Sequence, residues 1–225
     1  VDYPQTYTCS TPGGTWSTSN PAIGSIDVTT GLLTPISSGV ITVTYTLGSG
    51  CNAMLTVTIN DLPAPITGTF QVCEGLSSNL YTLSSGGLWN SADPAVADVD
   101  ALTGVVTGIS AMTPGVAGIG QTAITYTLPT GCYRSENVTV NPLPSPITGP
   151  TDVCINDVTT FTNITPGGGW VSSNTAVGTI DGVTGIFTAL SPGTTIISYL
   201  LPTSCVATHP LVVNDNPTPI GGSLS

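Results

Sequence analysis

Few side chains in this 225-residue chain can do covalent, acid–base or metal chemistry. There are six cysteines (Cys9, Cys51, Cys73, Cys132, Cys154, Cys205), one histidine (His209), one arginine (Arg134), no lysine, and 12 carboxylates. Six cysteines in an acidic, hydroxyl-rich chain (39 Thr and 22 Ser) point to disulfides in an oxidising compartment. No Cys-x-x-Cys spacing offers a metal site, and no cofactor is expected. His209 stands before Pro210 with no acid–base constellation around it. Without lysine there is no Schiff base, no phosphate-binding P-loop lysine and no Lys–Asn isopeptide crosslink. The chain reads as a non-enzyme.

The charge balance excludes further classes. A net charge of −11 with one arginine leaves nothing to neutralise phosphates, so neither nucleic acid nor an anionic lipid surface is a partner. No apolar run reaches the ~18–20 residues of a membrane helix, and no membrane insertion is expected. The start Val1-Asp2-Tyr3-Pro4 lacks the basic and apolar regions of a signal peptide, so that if the chain is exported, the expectation is that this is its mature form. The low charge does not mean disorder, because 40 % of the residues are apolar.

The elements that must position these residues repeat along the chain. Trp16, Trp89 and Trp170 are spaced 73 and 81 residues apart, each behind a glycine turn. Each opens a stretch that runs through an Asp-x-x-Thr-Gly turn (Asp27–Gly31, Asp100–Gly104, Asp181–Gly185). A β-rich run with a tyrosine follows (Tyr45, Tyr126, Tyr199), and a cysteine comes six residues after it (Cys51, Cys132, Cys205). Thr, Val, Ile and Tyr alternate with period two, and turn signals recur every 8–12 residues. The pattern predicts an all-β chain of three tandem Ig-like sandwiches with no helices. The expected boundaries are 1–62, 63–143 and 144–216, followed by a separate strand at 217–225. The tryptophans are expected in the cores, and the repeated aspartates in hairpin turns.

The pattern Trp-x-Ser-x-x-Pro-x-Val-Ala-x-Val-Asp…Thr-Gly-Val-Val-Thr-Gly…Ala-Ile-Thr-Tyr-Thr, seen best from Trp89 to Thr127, resembles the bacterial Ig-like group 2 domain. All three repeats match it through most of their length. The added cysteines, the Leu-Pro-x-Pro-Ile-Thr-Gly linkers and the absence of lysine resemble long surface repeat proteins of Bacteroidota. The resemblance implies a cell-surface, mechanical or adhesive role on a Gram-negative bacterium. It implies no catalytic residues.

The repeats are not cut evenly. Pro65-Ile66-Thr-Gly68 and Pro146-Ile147-Thr-Gly149 open repeats 2 and 3, with each proline 24 residues before its tryptophan. Repeat 1 lacks this opening strand, whereas Pro217-Thr218-Pro219-Ile220-Gly221-Gly222-Ser223-Leu224-Ser225 reads as an opening strand with no repeat behind it. In register, the tail of one copy would fill the front of the next, with a gap of about two residues before Val1. A sandwich lacking a strand exposes edges that invite strand addition. The expectation is a homopolymer, a pilus-like extracellular filament built head-to-tail by the strand 217–225, with Pro219, Ile220 and Leu224 filling a groove in repeat 1. This resembles the assembly logic of chaperone–usher pili and of the type V fimbriae of Bacteroidota. The rival expectation is a stalk segment of a longer tandem adhesin that binds surface glycans or other cells.

The repeat positions suggest the pairs Cys73–Cys132 and Cys154–Cys205, each joining a first strand to the loop before the last strand. They suggest Cys9–Cys51 as a relocated bridge in repeat 1. Asn137-Val-Thr139 and Asn163-Ile-Thr165 match the glycosylation sequon, so a glycoprotein is expected.

Overall fold

The computed structural model describes residues 3–111, 120–217 and 221. Among these the regular elements are β-strands. The first run is β1 (Gln5–Thr6), β2 (Gly14–Thr18), β3 (Gly24–Ile26), β4 (Leu32–Pro35), β5 (Gly39–Leu47) and β6 (Asn52–Ile59). The second is β7 (Thr67–Gly68), β8 (Gln71–Cys73), β9 (Ser77–Tyr81), β10 (Leu88–Ser91), β11 (Ala97–Val99), β12 (Val105–Gly108), β13 (Gly120–Thr127) and β14 (Tyr133–Asn141). The third is β15 (Asp152–Cys154), β16 (Val158–Thr160), β17 (Gly169–Ser172), β18 (Gly178–Ile180), β19 (Ile186–Ala189), β20 (Gly193–Leu200) and β21 (Val206–Asn214).

The period-two alternation does what it predicts. Along β5 the residues Ile41, Val43 and Tyr45 turn inward and are buried, and along β20 Thr195, Ile197 and Tyr199 do the same. Inward residues at every second position give each sheet one apolar face, and two such faces close a sandwich. The sheets run β1-β4-β3 with β2-β5-β6, then β11-β12-β9-β7 with β10-β13-β14-β8, then β16-β19-β18 with β15-β21-β20-β17. The fold is that of tandem Ig-like β-sandwiches.

By its internal contacts the chain divides into two compact units, one from 1–70, 77–107 and 121–138, the other from 71–76, 108–120 and 139–225. Segment 71–76, with Cys73, therefore belongs to the unit that also holds β15–β21. In the second unit the core gathers Phe161, Trp170, Phe187, Ile197, Leu211 and Val213. In the first unit, the core of the first sandwich holds Leu33, Ile41, Val43 and Ile59, with Tyr7, Trp16 and Val57 packed against it.

Each tryptophan sits against its tyrosine, with ring centroids at 4.7 Å for Trp16–Tyr45 and 4.8 Å for both Trp89–Tyr126 and Trp170–Tyr199. The tyrosine hydroxyl accepts from the N–H of Gly14, Gly87 or Gly168 and donates to the carbonyl of Thr11, Ser84 or Thr165. The glycine turn ahead of each tryptophan is thus pinned to the strand that carries the tyrosine. The last glycine of each Asp-x-x-Thr-Gly turn has φ of 73° to 74°. Behind Gly31 a Cβ would lie 2.4 Å from the Tyr7 carbonyl oxygen and 2.9 Å from the Trp16 ring, so only glycine fits.

Candidate assembly interface

The three repeats differ at one edge. In the second, β8 lies parallel to β14, with Thr139 opposite Gln71, Val140 opposite Val72 and Asn141 opposite Cys73. In the third, β15 lies parallel to β21, with Val212 opposite Asp152, Val213 opposite Val153 and Asn214 opposite Cys154. In the first, β6 ends its sheet, and among the described residues no strand lies outside it. The positions correspond because Ile59 faces Gly39 as Val213 faces Gly193. Asn60 is therefore the counterpart of Asn141 and Asn214.

The second edge follows suit. Thr67 and Gly68 pair with Tyr81 and Leu80, and Thr148 exchanges two 2.9 Å backbone hydrogen bonds with Thr162. The matching residue in the first sandwich is Thr8, eight before its tryptophan. Among the described residues β1 pairs with β4 alone.

Burial records what the missing cover does. Leu80 and Phe161 are each 1 % exposed, and Ile66 and Ile147 of the opening strands are buried at 5 % and 7 %. Their counterpart on β1's side, Tyr7, is only half-buried. Trp89 and Trp170 are buried, Trp16 half-buried; Val138 and Leu211 are buried, Val57 half-buried. Three core positions that are sealed elsewhere are thus open in the first sandwich.

Between these two edges runs a groove of about 360 Å³, lined on its apolar side by Tyr7, Leu33, Val57 and Ile59 and at one end by Asn60 and Cys132. No charged side chain lines it. Tyr3 closes one rim, its ring 5.3 Å from that of Tyr133 and its hydroxyl donating to the Tyr133 carbonyl at 3.3 Å. Desolvation, then the neighbouring Tyr133 phenol, raises the Tyr3 pKa above its ordinary value. A sheet edge beside an apolar groove is suited to receive an extended strand.

Of the tail 217–225, Pro217 and Gly221 are described, while Thr218, Pro219, Ile220, Gly222, Ser223, Leu224 and Ser225 lie outside the described residues. Counting from the second proline of each opening, Ile220 matches Ile66, Gly222 matches Gly68, and Ser225 matches Gln71. The glycine matters, because a Cβ on Gly68 would lie 2.2 Å from the Asn79 carbonyl oxygen, and one on Gly149 would lie 2.2 Å from the Phe161 ring.

The cysteines pair differently from the repeat-based expectation. One disulfide is present among the described residues, and it joins Cys73 to Cys205. The reason is direction. Since β8 runs parallel to β14, Cys73 sits beside Asn141 at the far end of that strand, whereas Cys132 precedes its start. Nine residues of strand separate the two ends by about 30 Å, far beyond the ~7 Å Cα limit of a disulfide. Cys154 and Cys205 are kept apart by β21 in the same way. Cys9–Cys51 is not formed either. Both thiols are free and exposed, and Cys9 lines a shallow pocket together with Ala53, Met54 and Leu55 of β6.

Other expected positions are placed as follows. Asn137 is exposed on β14. Asn163 is half-buried, its Nδ2 donates to the Ser145 carbonyl and its Oδ1 accepts from the Thr165 N–H at 2.8 Å, so the nitrogen that would carry a sugar is already engaged. His209 Nε2 donates to the Pro150 carbonyl at 3.0 Å and ties β21 to the opening segment. Asp27, Asp100 and Asp181 cap their turns, each Oδ1 accepting two backbone N–H groups and one threonine hydroxyl. Those bonds to Thr30, Thr103 and Thr184 hold the three carboxyls below their usual pKa. The half-exposure of Tyr7, Trp16 and Val57 had no signal in the sequence beyond the missing Pro-Ile-Thr-Gly opening.

No family model matches the chain, and no curated protein matches it. The resemblance to the bacterial Ig-like group 2 domain therefore stays with the residues that carry it. Among solved structures, Drosophila N-cadherin EC1-3 aligns over 94 % of this chain and 92 % of its own, at 9 % identity and a TM-score of 0.29. Mouse cadherin-23 EC22-24 aligns over 90 % and 86 %, at 12 % identity and a TM-score of 0.31. The human desmocollin-1 ectodomain aligns over 95 % and 57 %, at 12 % identity and a TM-score of 0.27. A likeness this distant says nothing of what the chain binds.

Proposed function

We propose that this chain is the structural, non-enzymatic subunit of an extracellular bacterial filament. Copies join head-to-tail as the strand 217–225 of one enters the open front of the next copy's first sandwich. The observation that carries this is the half-exposure of Tyr7, Trp16 and Val57, whose counterparts are sealed wherever an opening strand is present. The tail repeats the chemistry of those strands, with proline, isoleucine and glycine at the matching places, and it has no charged side chain to desolvate. Gly221 would lie opposite Thr8 as Thr148 lies opposite Thr162. Ile220 would cover Tyr7, and burying one such side chain contributes about 1.5–3 kcal/mol. The contact is heterologous, and such contacts propagate into open filaments when they do not close a ring. The Cys73–Cys205 disulfide suits an oxidising, extracellular setting.

The test is electron microscopy of the purified chain beside a chain lacking 217–225. The full chain is expected to form fibres and the shortened one to remain monomeric. An Ile220→Asp chain is expected to behave like the deletion. Fibres of unchanged length from the shortened chain would overturn the proposal.

A further inference from the structure

The Cys73–Cys205 bond joins two kinds of position that recur along the chain. The first kind ends an opening strand. Cys73 is followed by a turn in which Glu74 N–H donates to the Asn141 carbonyl, Leu76 N–H to Cys73, and Gly75 N–H to Gly108. Cys154 has the same set: Ile155 N–H donates to Asn214, Asp157 N–H to Cys154, and Asn156 N–H to Ala189. Even the left-handed residue recurs, Gly75 at φ 76° and Asn156 at φ 72°.

The second kind sits in a hairpin loop. Leu201 N–H donates to the Cys205 carbonyl and Ser204 N–H to Leu201, each at 2.9 Å, with φ 66° at Ser204. Around Cys51 the bonds are Leu47 N–H to Cys51 and Gly50 N–H to Leu47, again at 2.9 Å, with φ 86° at Gly50. Cys154 is thus a second Cys73, and Cys51 a second Cys205. The one bond closed among the described residues runs from an opening strand to the hairpin of the repeat that follows. In the head-to-tail filament the repeat that follows the third is the first repeat of the next copy.

We infer that Cys154 of one copy forms a disulfide with Cys51 of the next, so that the filament is covalently stapled at every subunit joint. This rests on the head-to-tail reading. Both thiols are accessible for it, Cys51 exposed and Cys154 half-buried. Bond formation removes two protons and two electrons from the thiol pair. A small-molecule disulfide such as oxidised glutathione accepts them by exchange and leaves as two thiols.

The full chain is assembled with a glutathione redox pair at pH 8, quenched with acid, and imaged. Part is run on a non-reducing denaturing gel, and part is digested with pepsin for mass spectrometry, since trypsin has Arg134 alone to cut at. The expected result is fibres, a ladder in steps of 22.6 kDa that reductant collapses, and a peptide linking 51 to 154 in the multimer bands. Cys154→Ser and Cys51→Ser should each keep the fibres and abolish the ladder; Cys9→Ser should keep both. Fibres in which Cys51 and Cys154 remain thiols would overturn the bond and leave the head-to-tail reading standing. No fibres from the intact chain would overturn that reading and the bond with it. A 51–154 link confined to the monomer band would overturn the bond between copies.

Discussion

The hydroxyl of Tyr199 holds two groups at once, the Gly168 N–H and the Thr165 carbonyl, inside a region where the ring itself is 6 % exposed. Tyr199→Phe keeps the packing on Trp170 and strands both partners, and should cost about 1–3 kcal/mol in urea unfolding of the second unit. The repeated aspartates act differently, because they are exposed and charged. Their folded pKa lies below the ordinary 3.8, so their contribution is full above that value and is lost as pH falls through the folded one. The melting temperature should therefore drop below about pH 4. A triple Asp27→Asn, Asp100→Asn, Asp181→Asn chain, whose amide oxygens still accept the turn bonds, should show a shallower drop. Both sets of residues were legible in the sequence, since a core pair and a turn cap are local features fixed by short spacings.

Hairpins and edges are the next scale. Gly185 carries φ 73°, and a Cβ there would lie 2.4 Å from the Phe161 carbonyl oxygen and 3.0 Å from Trp170. Gly185→Ala should destabilise by roughly 2 kcal/mol or more, combining left-handed strain with that clash. The disulfide is an element-scale feature as well. It closes a separation of 132 residues, and replacing both Cys73 and Cys205 by alanine should remove about 5 kcal/mol in the chain-entropy model. Its pairing was not legible from repeat positions. Those positions say that Cys73 and Cys132 belong to one repeat, but not that a parallel β8 carries Cys73 to the end of β14 remote from Cys132. The half-burial of Tyr7 and Val57 was hidden for a related reason. An apolar residue in an alternating strand looks the same whether or not a neighbour covers it, and coverage depends on which strand lies alongside.

At the scale of the whole molecule, the near-absence of basic residues sets a condition on the proposed head-to-tail assembly. Copies carrying −11 each repel at low ionic strength, and salt screens that repulsion while leaving the apolar groove contact in place. The concentration needed for fibres, read by light scattering, should fall between 10 mM and 300 mM salt. A joint held by ion pairs would respond in the opposite sense. Strand exchange and the proposed Cys154–Cys51 bond are the means by which a chain without lysine would hold such a joint, and both depend on an opening strand reaching the first sandwich. Hydrogen exchange at the Thr8 amide tests this most directly. Its counterpart Thr162 donates to the opening strand's Thr148 at 2.9 Å. Assembly of the full chain should slow Thr8 exchange at least tenfold, and deletion of 217–225 should return it to the monomer rate. Equal exchange at Thr8 in fibres and monomers would contradict the account.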